Sequence, residues 1–235
     1  MAAYGRPTLR DLFDDAPTPH IAHPPRTHRR DFYVATDGSF RASGGGLGVL
    51  VETRDGERVA RLAVPDDAPD NNVAEYRALH LGLDVLAART PPDARVGVLV
   101  DHDDLAANAN AAVLAARRRD RPTPHTPSVP PKSRHHWRGI RARIGGFAAL
   151  RAARIDGRHN PAHPLANAPG RYGHVNQTSD RCVLPAEPDS DSAPIPPPSR
   201  ADRHVFRGRS SVARASGVSA SGASGGASDG GPAQR

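Results

Sequence analysis

Residues 30–52, RDFYVATDGSFRASGGGLGVLVE, leave little freedom in how this chain can fold. Phe32, Val34 and Thr36 alternate with Tyr33, Ala35 and Asp37, the period of two that a strand shows when one side meets a core. The run closes on Asp37, followed by Gly38 and Ser39. Gly44, Gly45 and Gly46 read as a turn, and Leu47, Val49 and Val51 alternate again as an antiparallel hairpin partner. A carboxylate closing a core strand is costly unless something compensates it, and a bound cation does so. The competing reading is an Asp that only opens a turn.

Size and composition set the frame. A chain of 235 residues with 37% hydrophobic content holds one domain of ordinary size. Many of the 24 Pro and 22 Gly fall before residue 30 and after residue 168. The sequence therefore predicts a flexible N-terminal segment over 1–30, a globular domain over 31–170, and a disordered tail rich in Pro, Ser, Gly and Ala over 171–235. The single cysteine, Cys182, excludes an intramolecular disulfide, and no apolar stretch is long enough for a signal peptide or a membrane span. A soluble, cytoplasmic monomer is the expectation.

The net charge of +7 hides a segregation. Residues 31–110 carry 7 Arg against 14 Asp and Glu, whereas 111–170 carry 12 Lys and Arg against 2 acids. One part suits cations and the other anions. Lys132 is the only lysine, so the basic part offers guanidinium groups, which grip phosphate bidentately. A codon bias toward Arg is an equal explanation of the Arg preference, but not of the segregation.

Along the chain, residues 8–13 read as a short helix with Thr8 and Asp11 spaced as a capping pair. Its Leu9, Leu12 and Phe13 loosely resemble the peptide by which replication enzymes hook onto a sliding clamp, with Arg6 where that peptide opens on Gln. Packing on the chain's own domain is the alternative. Residues 58–64 alternate as a third strand, and 65–70 are a Pro-containing loop. A helix follows from 71 to about 88, with Tyr76, Leu79, Leu83 and Leu86 as its buried stripe. Glu75 lies about 100° around the helix from Tyr76, so its carboxylate emerges at the stripe's margin, near the sheet. An ordinary solvated Glu is the alternative.

Residues 95–101 are nearly all apolar, as in a central strand covered on both faces, and they too end on an acid, Asp101. A helix over about 103–118, a Pro-rich loop over 119–133, a short helix over 135–147 with Ile140 and Ile144 inward, and a fifth strand over 148–155 complete the pattern. Residues 160–167 read as a loop entering a last short helix.

Two strand-end acids and one helix-margin acid suggest carboxylates converging on one end of a sheet. Such a cluster repels itself without metal, so oxygen ligation of divalent cations is its plausible purpose. Two cations about 4 Å apart activate water and stabilise the leaving oxygen of a phosphodiester. The Arg-rich part would suit the polyanion being cut.

The pieces Thr36-Asp37-Gly38-Ser39, Asn71-Asn72-Val73-Ala74-Glu75, Val98-Leu99-Val100-Asp101 and Ala162-His163-Pro164-Leu165-Ala166-Asn167, in this order, resemble ribonuclease H of type 1, in a form similar to prokaryotic and archaeal members. The resemblance covers residues 32–167. It implies an α/β, ribonuclease H-like fold with a five-stranded mixed sheet in the order 3-2-1-4-5, flanked by helices. It also implies hydrolysis of the RNA strand of an RNA–DNA hybrid with two Mg²⁺ or Mn²⁺ ions. Asp37 would then bridge both ions, with Glu75 and Asp101 completing one of the metal sites. Asn71 and Asn72 would face the sugar edges of the hybrid, and Gly38 and Ser39 would lie beside its 2′-hydroxyls.

The departure is at the fourth acid, where His163 stands, one residue closer to Asn160 than the family spacing. Imidazole ligates Mn²⁺ more readily than Mg²⁺, so His163 is expected as a metal ligand that biases the site toward Mn²⁺; an idle loop histidine is the alternative. His159 is a second candidate, for proton shuttling. With a Pro-rich loop where some relatives carry a basic helix-loop, hybrid binding is assigned to Arg117, Arg118, Arg119, Lys132, Arg134, Arg138 and Arg141, or to a partner; a merely solvated helix end is the alternative for Arg117 to Arg119. A catalytically weakened nucleic-acid-binding protein of the same fold is the alternative function. An unrelated small interaction module stands behind both.

Overall fold

A computed structural model describes residues 6–17, 29–117 and 127–176. In chain order its elements are α1 (Leu9–Asp15), β1 (Phe32–Ser39), β2 (Gly45–Thr53), β3 (Arg58–Asp66), α2 (Asn71–Arg89), β4 (Arg95–Val100), α3 (Asp103–Arg117), α4 (Arg134–Ile144), β5 (Ala149–Arg154), α5 (His163–Asn167) and α6 (Gly173–Asn176). The strands form one sheet in the order β3-β2-β1-β4-β5. The first three make an antiparallel meander, while β4 runs parallel to β1 and β5 parallel to β4. Parallel neighbours need crossovers, which α2 and the α3–α4 pair supply. This is the mixed sheet that the resemblance implies.

One face of the sheet is covered by α2. Its stripe of Tyr76, Leu79, Leu83 and Leu86 is at most 1% exposed and packs with Val34, Val49, Leu62, Val96 and Val98. The helix lies close because Gly82 meets β1: a Cβ there would stand 2.6 Å from the Thr36 methyl. Turn and strand limits shift slightly from expectation. Only Gly44, at φ 99°, makes the turn, whereas Gly45 and Gly46 belong to β2. Pro65 lies inside β3, where an edge position tolerates its missing N–H.

The opposite face is covered by α1, the short helix expected within residues 1–30, which packs on the chain's own domain. A Thr8–Asp11 capping box starts the helix, and the Leu9 N–H donates to the Glu52 carboxylate on β2 at 2.8 Å. Leu9 and Phe13, 1% and 0% exposed, pack against Tyr33, Ala35, Leu50 and Leu99. Leu9 and Phe13, two of the three side chains of the clamp-peptide reading, are buried in this core.

The folded region also passes the expected limit at residue 170. On α6 the Asn176 amide pairs with the backbone of the outermost strand, accepting from Ala63 N–H at 3.1 Å and donating to Ala63 C=O at 2.7 Å. Residues 119–126 of the expected Pro-rich loop lie outside the described residues, as does Arg118 at the end of the expected helix, and Pro131–Ser133 form a 3₁₀ turn. Because Phe13 is fully buried between α1 and the sheet, Phe13→Ala is expected to lower the unfolding free energy by about 3–5 kcal/mol in urea titration. A decrease below about 1 kcal/mol would place α1 outside the cooperative core.

Candidate active site

The parallel register sets the first pair. Ala35 on β1 is opposite Leu99 on β4, so two residues further on Asp37 stands beside Asp101. Glu75 reaches them from the fifth position of α2 because Gly38 has no side chain. A Cβ on Gly38 would stand 2.2 Å from the Ala74 carbonyl carbon. The Gly38 N–H instead donates to the Glu75 carboxylate. The function of Gly38 in this geometry is close approach of strand to helix.

A second close approach brings the fourth group. Gly48 on β2 pairs with Asp37, and a Cβ on it would stand 2.3 Å from Ala162 O and 2.9 Å from Ala166 N. The start of α5 therefore lies directly on the strand. Asn160, 2% exposed, ties the preceding loop down by donating to Thr36 C=O at 2.9 Å and accepting from Ala162 N–H at 3.0 Å. His163 Nδ1 ends 3.3 Å from Asp37 Oδ2, and His163 Nε2 lies 2.8 Å from Asn167 Nδ2. Ligand atoms of Asp37, Asp101 and His163 all fall within 4.8 Å of one another.

Electrostatics give this centre its character. Asp37 and Glu75 are each 2% exposed. Burial, then repulsion from Asp101, pushes the Asp37 carboxyl up to about 8. Burial, then repulsion from Asp101 and Asp37, pushes Glu75 up to about 10. Glu75 Oε2 has no hydrogen-bond partner. An orphaned buried carboxylate oxygen among two further carboxylates is a hard-oxygen donor set, and these residues fit a divalent cation.

The expected substrate contacts divide. Asn71 and Asn72 are exposed on the first turn of α2, with Asn72 Oδ1 3.0 Å from His102 Nε2. Lys132 is close by, its Nζ 3.5 Å from Asp70, which caps α2. Arg134, Arg138 and Arg141 share the exposed side of α4, whose other side is held to α2 by Arg77–His136 and Arg143–Asp84 contacts. Ser39 points inward instead, 7% exposed, donating to Asn167 Oδ1 at 3.0 Å. Arg117 does not join the site. It ends the 15-residue α3, which starts beside Asp101, and it donates to Ala148 at the far end of the sheet. A helix of that length carries its end about 22 Å away. Arg118 and Arg119 lie outside the described residues, and His159 is exposed on a 3₁₀ turn.

Sequence reasoning missed Gly48, Asn160 and Asn167 as builders of the site. A glycine inside an alternating strand is a signal of close backbone approach, and Gly48 carries it.

The chain has a ribonuclease H-like fold. No family model matches the sequence, and no curated protein matches it. Among solved structures it is similar to the N-terminal RNase H domain of rv2228c from Mycobacterium tuberculosis, solved as a maltose-binding-protein fusion. That likeness has 22% identity, covers 57% of this chain and 95% of that one, and has a TM-score of 0.45. RNase H1 from the halophilic archaeon Halobacterium salinarum is similar at 22% identity, covering 60% of this chain and 98% of that one, TM-score 0.46. LC9-RNase H1, described as a type 1 RNase H with the type 2 active-site motif, is similar at 18% identity, covering 80% and 99%, TM-score 0.44. At these values the fold assignment rests on strand order and register.

The raised carboxyls make a stability prediction. Their ordinary values are 3.8 and 4.5, against about 8 and about 10 in the folded chain, so between those limits the folded state binds more protons than the unfolded one. Stability of the metal-free protein should therefore fall as pH rises from about 4 to about 10. Asp37→Asn should raise the metal-free Tm at pH 8 by several degrees, read by circular dichroism melts. A Tm that is flat across this window in chelator would contradict the buried cluster.

Proposed function

We propose that the protein is a metal-dependent endoribonuclease that hydrolyses the RNA strand of RNA–DNA hybrids. The observation that carries this reading is the convergence of Asp37, Glu75 and Asp101, two of them buried, on one end of the sheet. The type 1 ribonuclease H resemblance of these same positions supports the substrate class. Asp37, between the other groups, would face both of two Mg²⁺ or Mn²⁺ ions, while Glu75 and Asp101 would hold one of them. Divalent ions bound there supply an activated water and neutralise charge on the leaving oxygen.

The chain's own groups do the rest. Asn71 and Asn72, exposed at the start of α2, would donate amide hydrogens to the sugar edges of a duplex lying over the site. Lys132 and the Arg134, Arg138 and Arg141 side of α4 would track the phosphate backbone beyond it. Gly38 lets β1 touch α2 and so keeps Glu75 beside Asp37 and Asp101.

A labelled hybrid incubated with the full chain and Mg²⁺ or Mn²⁺ should be cut in its RNA strand only. Asp37→Asn, Glu75→Gln and Asp101→Asn should each reduce cleavage by about 10³-fold or more, since each removes charge from the metal centre. Hybrid retained on a gel by the wild type without cleavage would favour the catalytically weakened alternative, which His163 in place of an acid motivates. Replacing Arg134, Arg138 and Arg141 together by Ala should weaken hybrid binding and flatten the slope of log K against log salt by about 0.9 for each phosphate that is no longer neutralised. An unchanged slope would make that helix side a solvated surface only.

A further inference from the structure

The imidazole of His163 sits between two partners, and the far one decides what the near one receives. On the far side is the Asn167 amide, 2.8 Å from Nε2 through its Nδ2. The identity of that amide's atoms follows from its other contacts. Its Oδ1 receives Arg41 Nη2 at 2.7 Å and the Ser39 hydroxyl at 3.0 Å. A guanidinium has hydrogens only to give, so the atom facing it is the oxygen. Its Nδ2 also donates to the His163 backbone carbonyl at 3.1 Å, and a carbonyl can only accept. Flipping the amide would set oxygen against carbonyl oxygen and NH₂ against guanidinium.

With Nδ2 fixed toward the ring, His163 Nε2 must be the lone-pair nitrogen. In a neutral imidazole the hydrogen is then on Nδ1. Nδ1 is the nitrogen that faces Asp37 Oδ2, at 3.3 Å. A ligating Nδ1 would need the opposite tautomer, whose Nε2–H would point at the Asn167 NH₂ group.

We propose that His163 serves Asp37 as a neutral Nδ1–H donor, held in that tautomer by Asn167, and does not ligate the bound ion. Arg41, Ser39 and Asn167 are positioning residues acting through the ring. A donor standing behind a metal-binding carboxylate fixes the rotation of that group, so the ring orients Asp37 and leaves its other carboxylate oxygen to the ion. It also replaces the Mn²⁺ bias expected of a histidine ligand by indifference of His163 to the choice of ion. The inference deepens the nuclease reading and rests on it only for the ion's function, because the tautomer exists in the metal-free protein without nucleic acid.

The test reads the ring nitrogens directly. Long-range ¹H–¹⁵N correlation spectra of the full chain at about pH 8, where free histidine is neutral, report which nitrogen is protonated. The expected pattern for His163 is protonated Nδ1 and bare Nε2, in chelator and again with saturating Mg²⁺. Asn167→Asp places an acceptor against Nε2 and should move the hydrogen there. A proton on Nε2 in the wild type, alone or with one on Nδ1, overturns the proposal, as does loss of Nδ1–H when Mg²⁺ binds or an unchanged tautomer in Asn167→Asp. Calorimetry provides a second arm: the ratio of Mn²⁺ to Mg²⁺ affinity should agree within about twofold between wild type and His163→Asn, because an amide nitrogen donor replaces Nδ1–H. A several-fold drop in that ratio would restore His163 as a ligand. Hybrid cleavage enters neither arm, so absence of cleavage would sink the nuclease reading while leaving this one standing.

Discussion

Asp37, Glu75 and Asp101 repel one another in surroundings that have stripped most of the water from two of them. Left to themselves the side chains would separate. They are held because each is fixed by a different rigid element: Asp37 within β1, Asp101 directly after the adjacent parallel β4, and Glu75 near the start of the helix pinned across them. Protons relieve the repulsion in the absence of metal, and cations relieve it otherwise. The stability of the domain and the affinity of its centre are thus opposed: what strengthens the folded chain without metal weakens its hold on metal.

The close spacing comes from the absence of side chains. Gly38 lets the backbone of β1 touch α2, Gly48 lets β2 touch α5, and Gly82 lets the middle of α2 sink onto β1. These three contacts surround Asp37 on β1 and its neighbour strand. A single methyl at Gly38 or Gly48 meets backbone atoms, which cannot rotate away as a flexible side chain could. Asn160 then clamps the loop before α5 onto Thr36, one residue before Asp37. The backbone that carries the acid is thus held by close backbone contacts and by the one side-chain amide of Asn160.

Much of this was legible in the sequence. The apolar run of β4 and the stripe of α2 reflect burial that the structure reproduces, whereas β1 and β2 are buried at nearly every position rather than on alternate ones, because α2 and α1 cover both faces of the sheet, and β1 runs two residues past Asp37 to Ser39. The docking of α1 was less legible, because a seven-residue helix with few apolar positions looks alike whether it packs at home or on a partner. The placement of Arg117 was legible but unread: a helix leaving Asp101 must carry its far end away from the acids. What no one-residue reading could give is the direction of the Ser39 hydroxyl or of the His163 ring, since both are set by Asn167, more than a hundred positions from Ser39 along the chain.

The Asn176 amide has a consequence beyond tying down the chain after α5. An outermost strand normally offers free N–H and C=O groups on which another polypeptide can build. At Ala63 both groups are already taken by one side chain that imitates a peptide unit. The sheet therefore ends in a counterfeit neighbour one residue long, enough to interrupt the ladder a second molecule would need for templated growth.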